Sequence, residues 1–444
     1  MEILIKNACL VTFTEEYGVI PEGYLYIKDG KILALGEGDY TKQSAQAKII
    51  DAGQKIVMPG FVNAHMHCYS TFARGMSLGD TPPSCFVEIL DKLWWRLDKK
   101  LTKEDLYYST LIPAMEAIRS GVTTFIDHHA SPNCIPGCLD ELERALNDAG
   151  MRGILCYEVS DRDGKEIALQ GLEENIRWIK KSQAKQNSLI QGTFGLHASF
   201  TVMDDTMEKA VEAAKKLGVG LHLHVAEDHA DQTITLQNTK KRVVKRLWDS
   251  GALGSKSIAA HAVWVDEEEK DLLAQSGTWT IHNPRSNMNN AVGAMDFLGI
   301  LGKGTKVCLG TDGMAASIWP DLRTAALIHK HEKRNPRIVW NELLTLLENN
   351  YRLANEFIPV RLGKLEPQAA SDVVIYNYIP PTPITKDNFL GHFLFGFAHV
   401  QADTVLIHDK IVLENGQFVF LDEKEVARKS REQTLSFWKR FAAK

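Results

Sequence analysis

Phe61-Val62-Asn63-Ala64-His65-Met66-His67 is an apolar run that closes on two histidines two residues apart. Side chains on a strand alternate faces, so both rings project from one face and can reach one ion together. The run begins at Val57, and seven more of its kind follow: Val122 to Asp127, Gly153 to Glu158, Thr193 to His197, Gly220 to Val225, Ser257 to His261, Thr278 to Asn283 and Lys306 to Thr311. The stretches between them carry helical periodicity, as in Lys103 to Ser120, Leu139 to Ala149, Glu173 to Lys181, Met207 to Leu217 and Val243 to Ser250. Short strands alternating with helices over roughly 300 residues predict an α/β fold, a (β/α)8 TIM barrel. A doubly wound sheet is the alternative, but no Gly-rich dinucleotide turn follows the first run.

Outside the barrel the texture changes. Glu2 to Val11, Gly23 to Lys28, an Asp29-Gly30 turn and Lys31 to Leu35 read as strands and a hairpin. Asp372 to Tyr376, Thr404 to His408, Lys410 to Leu413, an Asn415-Gly416 turn and Gln417 to Phe420 repeat the pattern at the far end. Neither end can bury a core by itself, so the two are expected to pair into one small discontinuous β-sandwich. The expected organisation is residues 1–57 plus 363–444 as this composite unit, with a charged amphipathic helix from Glu423 towards Lys444, and residues 58–362 as the barrel.

The 444 residues are 44% hydrophobic and 24% charged, the make-up of a soluble globular chain. A net charge of −5 offers no field to hold a polyanion, which argues against nucleic acid as a partner. No stretch approaches the ~18 apolar residues of a membrane span, and no basic and apolar leader stands at Met1, so a cytoplasmic protein is expected. Seven cysteines fit reduced thiols; Cys134 and Cys138 lack the second pair that a tetrahedral zinc site requires. Base rates favour a homodimer. Fifteen histidines stand out from this ordinary background.

Barrel enzymes work at the C-terminal ends of their strands. The fifth run reads Leu221-His222-Leu223-His224-Val225-Ala226-Glu227, the sixth ends Ala259-Ala260-His261, and the eighth runs Cys308-Leu309-Gly310-Thr311-Asp312-Gly313. Taken alone, the first pair reads equally as solvated or core histidines and Asp312 as a helix cap. Together, four strand ends each offer a metal-type ligand. Three imidazoles and one carboxylate suit Zn²⁺ or Fe²⁺ and leave a position for water. The fourth run ends Gly195-Leu196-His197-Ala198-Ser199 without a lysine to bridge a second ion, so one metal is expected. Glu227, at the turn after His224, is placed to carry a proton from water to substrate.

Met58-Pro59-Gly60 leading into Phe61 to His67, the His224 to Glu227 stretch, His282-Asn283-Pro284-Arg285-Ser286-Asn287-Met288 and Gly310 to Gly313 together resemble the amidohydrolase superfamily. Within it the chain is similar to the deaminase and chlorohydrolase branch. The resemblance implies His65, His67, His224 and Asp312 as ligands of a single ion, commonly zinc and sometimes iron. It implies Glu227 as the group that protonates a ring nitrogen, Asp312 also as the base, and His261 as a residue facing the attacking water. His197 matches a residue that polarises the substrate. Two departures stand out: Ser199-Phe200 replaces a common Pro-aromatic pair beside His197, and His408-Asp409-Lys410 replaces an Asn-Gly turn.

Trp94 and Trp95 follow the first strand, where Trp95 is a candidate platform for a planar substrate, although adjacent tryptophans also serve as core. Arg162 could read a carboxylate or carbonyl of the substrate, or be a solvated loop charge. His128 and His129 close the second run and read as structural. The expected activity is hydrolytic deamination of an amino-substituted heterocycle, purine-, pterin- or triazine-like, with release of ammonia. Hydrolytic removal of chloride or an alkylthiol from a triazine-like substrate is the alternative. A non-catalytic or selenium-metabolism accessory protein is a remote one.

Overall fold

The computed structural model describes residues 1–38, 40–41, 46–185 and 189–443. Eight parallel strands with intervening helices form the (β/α)8 barrel: Phe61–Met66, Val122–His129, Arg152–Tyr157, Phe194–Ala198, Leu221–Val225, Ile258–His261, Trp279–His282 and Lys306–Leu309. Every residue of the first seven is buried, as expected for strands covered on both faces. The expected fourth run divides at Thr193: a short strand Ile190–Gly192 pairs with the third strand, and Phe194–Ala198 pairs with the fifth.

Hydrogen bonding splits this ring into sheets of four and five strands, which meet at two seams. Between the third and fourth strands, Val159 bridges Leu196, and the His197 N–H donates to the Val159 carbonyl at 2.8 Å. Between the eighth and first, Met66 bridges Asp312; the Thr311 and Asp312 N–H groups both donate to the His65 carbonyl at 3.0 Å.

Each seam is stitched by a buried asparagine from a flanking helix. Asn175, in helix Lys165–Ala184, accepts the Tyr157 N–H at 2.9 Å and donates to the carbonyls of Tyr157 at 2.7 Å and Gly195 at 3.3 Å. Asn350, in helix Trp340–Asn355, accepts the Leu309 N–H at 2.7 Å and donates to the carbonyls of Val62 at 2.7 Å and Leu309 at 2.9 Å. Glycine permits the close approach at both places. A Cβ on Gly195 would stand 2.3 Å from the Tyr157 carbonyl oxygen, and one on Gly310 would stand 2.9 Å from that of His65.

The run expected from Val57 to His65 is two strands. Ile56–Pro59 pairs antiparallel with Val373–Tyr376 and so joins the two chain ends, while Phe61–Met66 enters the barrel. Between them the Gly60 N–H donates to the Asp372 carbonyl at 2.9 Å. The terminal strands make one nine-stranded sheet, which encloses its own apolar cluster of Ile5, Leu25, Val57, Val373 and Leu406. Arg152, at the base of the third barrel strand, forms a buried two-pronged ion pair with Asp372 at 2.7 and 3.0 Å and ties the barrel to this sheet.

Helix Glu423–Ala442 starts on the Asp422 cap, which accepts the Lys424 and Glu425 N–H groups, and buries Phe437 and Phe441; Lys444 lies outside the described residues. Trp438 donates to the Phe72 carbonyl and Arg96 to that of Phe441, so this helix supports the segment that follows the first barrel strand. Among the described residues no helix is long and apolar enough to cross a membrane.

Asn350→Ala removes three hydrogen bonds and strands the Leu309 N–H in the interior, which costs roughly 3 kcal/mol. The measurement is the denaturant midpoint; a change within about 0.5 kcal/mol, as for an ordinary surface substitution, would contradict the stitching role.

Candidate metal centre and active site

The strand ends converge as barrel geometry requires. One ligand atom from each of His65, His67, His224 and Asp312 lies within 4.8 Å of the other three, and all four residues are buried. His67 Nε2 stands 3.1 Å from His224 Nε2 and 3.2 Å from Asp312 Oδ1. Their outer nitrogens are already committed: His67 Nδ1 donates to the His128 carbonyl at 2.6 Å and His224 Nδ1 to that of His197 at 3.0 Å. A proton on Nδ1 leaves the Nε2 lone pair facing the centre, which is the tautomer a metal ligand needs. His65 Nδ1 meets His222 Nε2 at 2.9 Å, and His222 Nδ1 meets Cys156 Sγ at 3.8 Å. With His65 donating, its Nε2, buried and without a hydrogen-bond partner, also faces the centre. Four convergent donors with outer nitrogens fixed fit a tetrahedral divalent ion.

Charge in the site is polarised. Burial alone would depress His67, yet Asp312 lifts it to about 9. Burial pushes His65 down to about 3 and His261 down to about 4. Glu227 is pushed well above the usual carboxylate range by burial and by the nearby Asp312 charge. Asp312 goes the other way: burial would raise it, but the facing His65 and His67 side chains hold it well below that range.

His261 Nε2 lies between the two carboxylates, 3.4 Å from Glu227 Oε2 and 3.9 Å from Asp312 Oδ2. It stands outside the four-donor set and is held from behind by Asn287, whose amide is 2.8 Å from Nδ1. Ser286 Oγ donates to Asp312 Oδ2 and Asn290 Nδ2 donates to Glu227 Oε1 at 3.3 Å. The turns that present these groups are strained: Ala226 (φ 46), His261 (φ 78), Ala262 (φ 47) and Asp312 (φ 55) are all left-handed non-glycine residues. The Ala226 N–H is pinned at 2.7 Å by Asp231, which fixes the turn carrying Glu227.

The cavity over the centre is lined by His67, His224, Glu227 and Asp312 on the floor and by Phe86, Leu90, Trp94, Trp95 and Phe200 on the wall. His197, Trp95 and Arg162 also line it. The His197 ring meets the Trp95 ring edge-on at 6.1 Å, and its Nδ1 bonds the Thr201 hydroxyl, leaving Nε2 towards the cavity. Arg162 is bound by Asp98 and Asp163, with its guanidinium 5.3 Å from the Trp95 ring, so it is an anchored wall charge and not a solvated loop residue.

Sequence reading passed over Glu158, at the end of the third run. It is buried in the cavity wall, with Oε2 3.3 Å from His128 Nδ1 and Oε1 3.6 Å from His197 Nε2. Burial would raise it, but His197 and His128 outweigh burial and hold it well below the usual range. Its place at a strand end was the available signal. His128 is structural in one respect, its Nε2 bonding the His222 carbonyl at 3.1 Å, while its other nitrogen faces Glu158.

Known proteins are similar to this chain along nearly its whole length. Residues 56–412 match the profile described as Amidohydrolase family. A 5'-deoxyadenosine deaminase of Methanosarcina mazei is 31% identical over 443 residues, covering 98% of this chain and 99% of that protein. A 5-methylthioadenosine/S-adenosylhomocysteine deaminase of Syntrophomonas wolfei is 31% identical over 442 residues, covering 97% and 98%. Among solved structures, an adenosine deaminase from Xanthomonas campestris with bound zinc superimposes with a TM-score of 0.82 at 20% identity, covering 98% of both chains. An atrazine chlorohydrolase from Arthrobacter aurescens complexed with zinc gives 0.80 at 20% identity, covering 97% and 100%. At that identity the two structures speak to the fold.

Elemental analysis of zinc-reconstituted protein is expected to give about one metal per chain, falling below about 0.2 in His65→Ala and Asp312→Ala and staying near one in His261→Asn. Full metal content in both alanine variants would contradict the ligand set.

Proposed function

The chain belongs to the amidohydrolase family and is a hydrolase of carbon–nitrogen bonds, and on that premise we propose that it deaminates an amino-substituted heterocycle with His65, His67, His224 and Asp312 as ligands of one zinc ion. The observation that carries the reading is geometric: beside the four convergent donors, His261 Nε2 stands 3.4 Å from Glu227 Oε2 and 3.9 Å from Asp312 Oδ2. Two carboxylates in different surroundings at one site can divide the labour of acid and base.

A divalent ion in the site supplies Lewis acidity that makes water acidic enough to act near neutral pH. Asp312, ionised and fixed by Ser286, takes the proton that water gives up as its oxygen adds to the carbon bearing the amino group. Glu227, which favours its protonated form, hands a proton to the adjacent ring nitrogen. His261 orients the oxygen between them. The proton held by Asp312 passes to the departing amine, and the proton left on the added oxygen returns to Glu227, so ammonia leaves neutral, the ring keeps a carbonyl and both carboxylates regain their starting state. His197 and Trp95, both in the cavity wall, hold the ring in place.

Relatives named as deaminases, 31% identical along nearly the whole chain, support deamination over dechlorination. Seven unpaired cysteines support a reducing, cytoplasmic setting. A homodimer is part of the same reading.

Glu227→Gln is expected to lower kcat for ammonia release by at least about 100-fold, with metal content unchanged. Turnover at the wild-type rate in that variant would remove Glu227 from the mechanism.

A further inference from the structure

Two polar atoms in the cavity wall make no well-formed hydrogen bond among the described residues. Glu158 Oε2 and Trp95 Nε1 are both buried without a hydrogen-bond partner, and both residues line the cavity. A carboxylate has room for about four acceptor contacts, and Glu158 meets only the His128 and His197 ring nitrogens, at 3.3 and 3.6 Å. A second metal does not account for it. A cluster of His67, His128, Glu158 and His224 exists, but His67 and His224 have one inward lone pair each, committed to the four-donor centre. His128 and Glu158 alone are too few ligands for an ion.

Position says what Glu158 can touch. One of its carboxylate oxygens lies within 4.8 Å of a ring nitrogen of each of His67 and His224, so it addresses the reacting end of a substrate and not a distant tail. Glu158 follows the end of the third strand, with His128 and His197 on the second and fourth; Glu227 and Asp312 follow the fifth and eighth, and His261 ends the sixth. Glu227 and Glu158 therefore flank the centre from different sides of the barrel.

We propose that Glu158 and Trp95 read a lactam edge, so that the substrate is a cyclic acylguanidine, its amino carbon flanked by a bare ring nitrogen on one side and by a ring N–H next to a carbonyl on the other. The inference rests on the deaminase reading. Glu227 protonates the bare nitrogen, Glu158 accepts the lactam N–H, and the Trp95 indole N–H donates to the carbonyl. The 2-amino-4-oxo pterin and guanine rings have this pattern. An adenine ring does not: its amino carbon is flanked by a ring nitrogen and a ring carbon without hydrogen, which leaves both wall groups unpaired.

The test compares pterin with 3-methylpterin and guanine with 1-methylguanine, with 5'-deoxyadenosine as the non-lactam reference, on zinc-loaded protein. Ammonia release gives kcat/KM, and calorimetry on the Glu227→Gln holoprotein gives binding without turnover. Methylating the lactam nitrogen is expected to lower kcat/KM and affinity by at least about 100-fold in protein with Glu158 intact. In Glu158→Ala and Glu158→Gln that ratio falls below about 10-fold with metal content unchanged. The proposal is overturned if 5'-deoxyadenosine outperforms both lactams, or if the Glu158 variants weaken each methylated and unmethylated pair equally. Absence of ammonia release from every heterocycle would defeat the deaminase reading; the calorimetric ratio then decides the lactam contact by itself.

Discussion

The His67 N–H donates to the Asp312 carbonyl across the seam where the eighth barrel strand meets the first. The site depends on that closure, because it sets two histidines of the first strand against the carboxylate that ends the eighth. The seam has few ladder hydrogen bonds of its own, and Asn350 supplies three from outside the sheet. Gly310 lets the backbones approach, and the His65 carbonyl accepts from both Thr311 and Asp312. A ring that closed one residue out of register would turn His65 and His67 to the opposite face and dissolve the donor set.

Closure places the four convergent donors; strain and burial then tune the groups around them. Four left-handed non-glycine residues at the ends of the fifth, sixth and eighth strands cost about 1–3 kcal/mol each, and they aim Glu227, His261 and Asp312 inward. Burial removes the water that would level the two carboxylates, so the hydrogen bonds around Asp312 and the charge beside Glu227 decide which one keeps a proton. Burial holds the His65 and His261 imidazoles low, at about 3 and about 4, so both stay neutral.

Much of this is legible in the sequence because strand ends in a barrel report directly on the site. His65, His67, His224, His261 and Asp312 announce themselves by ending apolar runs, and the strand limits fall within a few residues of their expected places. What escapes reading depends on partners far away in the chain. The run from Val57 looks continuous, but Gly60 bonds Asp372 and divides it between two sheets. Asn175 and Asn350 look like ordinary helix polar residues until their amides are seen inside the seams. Glu158 ends a run as His65 does, yet a lone carboxylate acquires meaning only beside His128 and His197. Arg162 reads as a loop charge until Asp98, from the segment after the first strand, holds it in the wall.

The central claim is that one ion sits where the first, fifth and eighth strands converge. An anomalous-difference map from crystals of zinc-loaded protein tests it most directly. The account predicts a single peak about 2.0–2.2 Å from the Nε2 atoms of His65, His67 and His224 and from an Asp312 carboxylate oxygen. A peak between His128 and Glu158, or no peak at the four-donor centre, would contradict it.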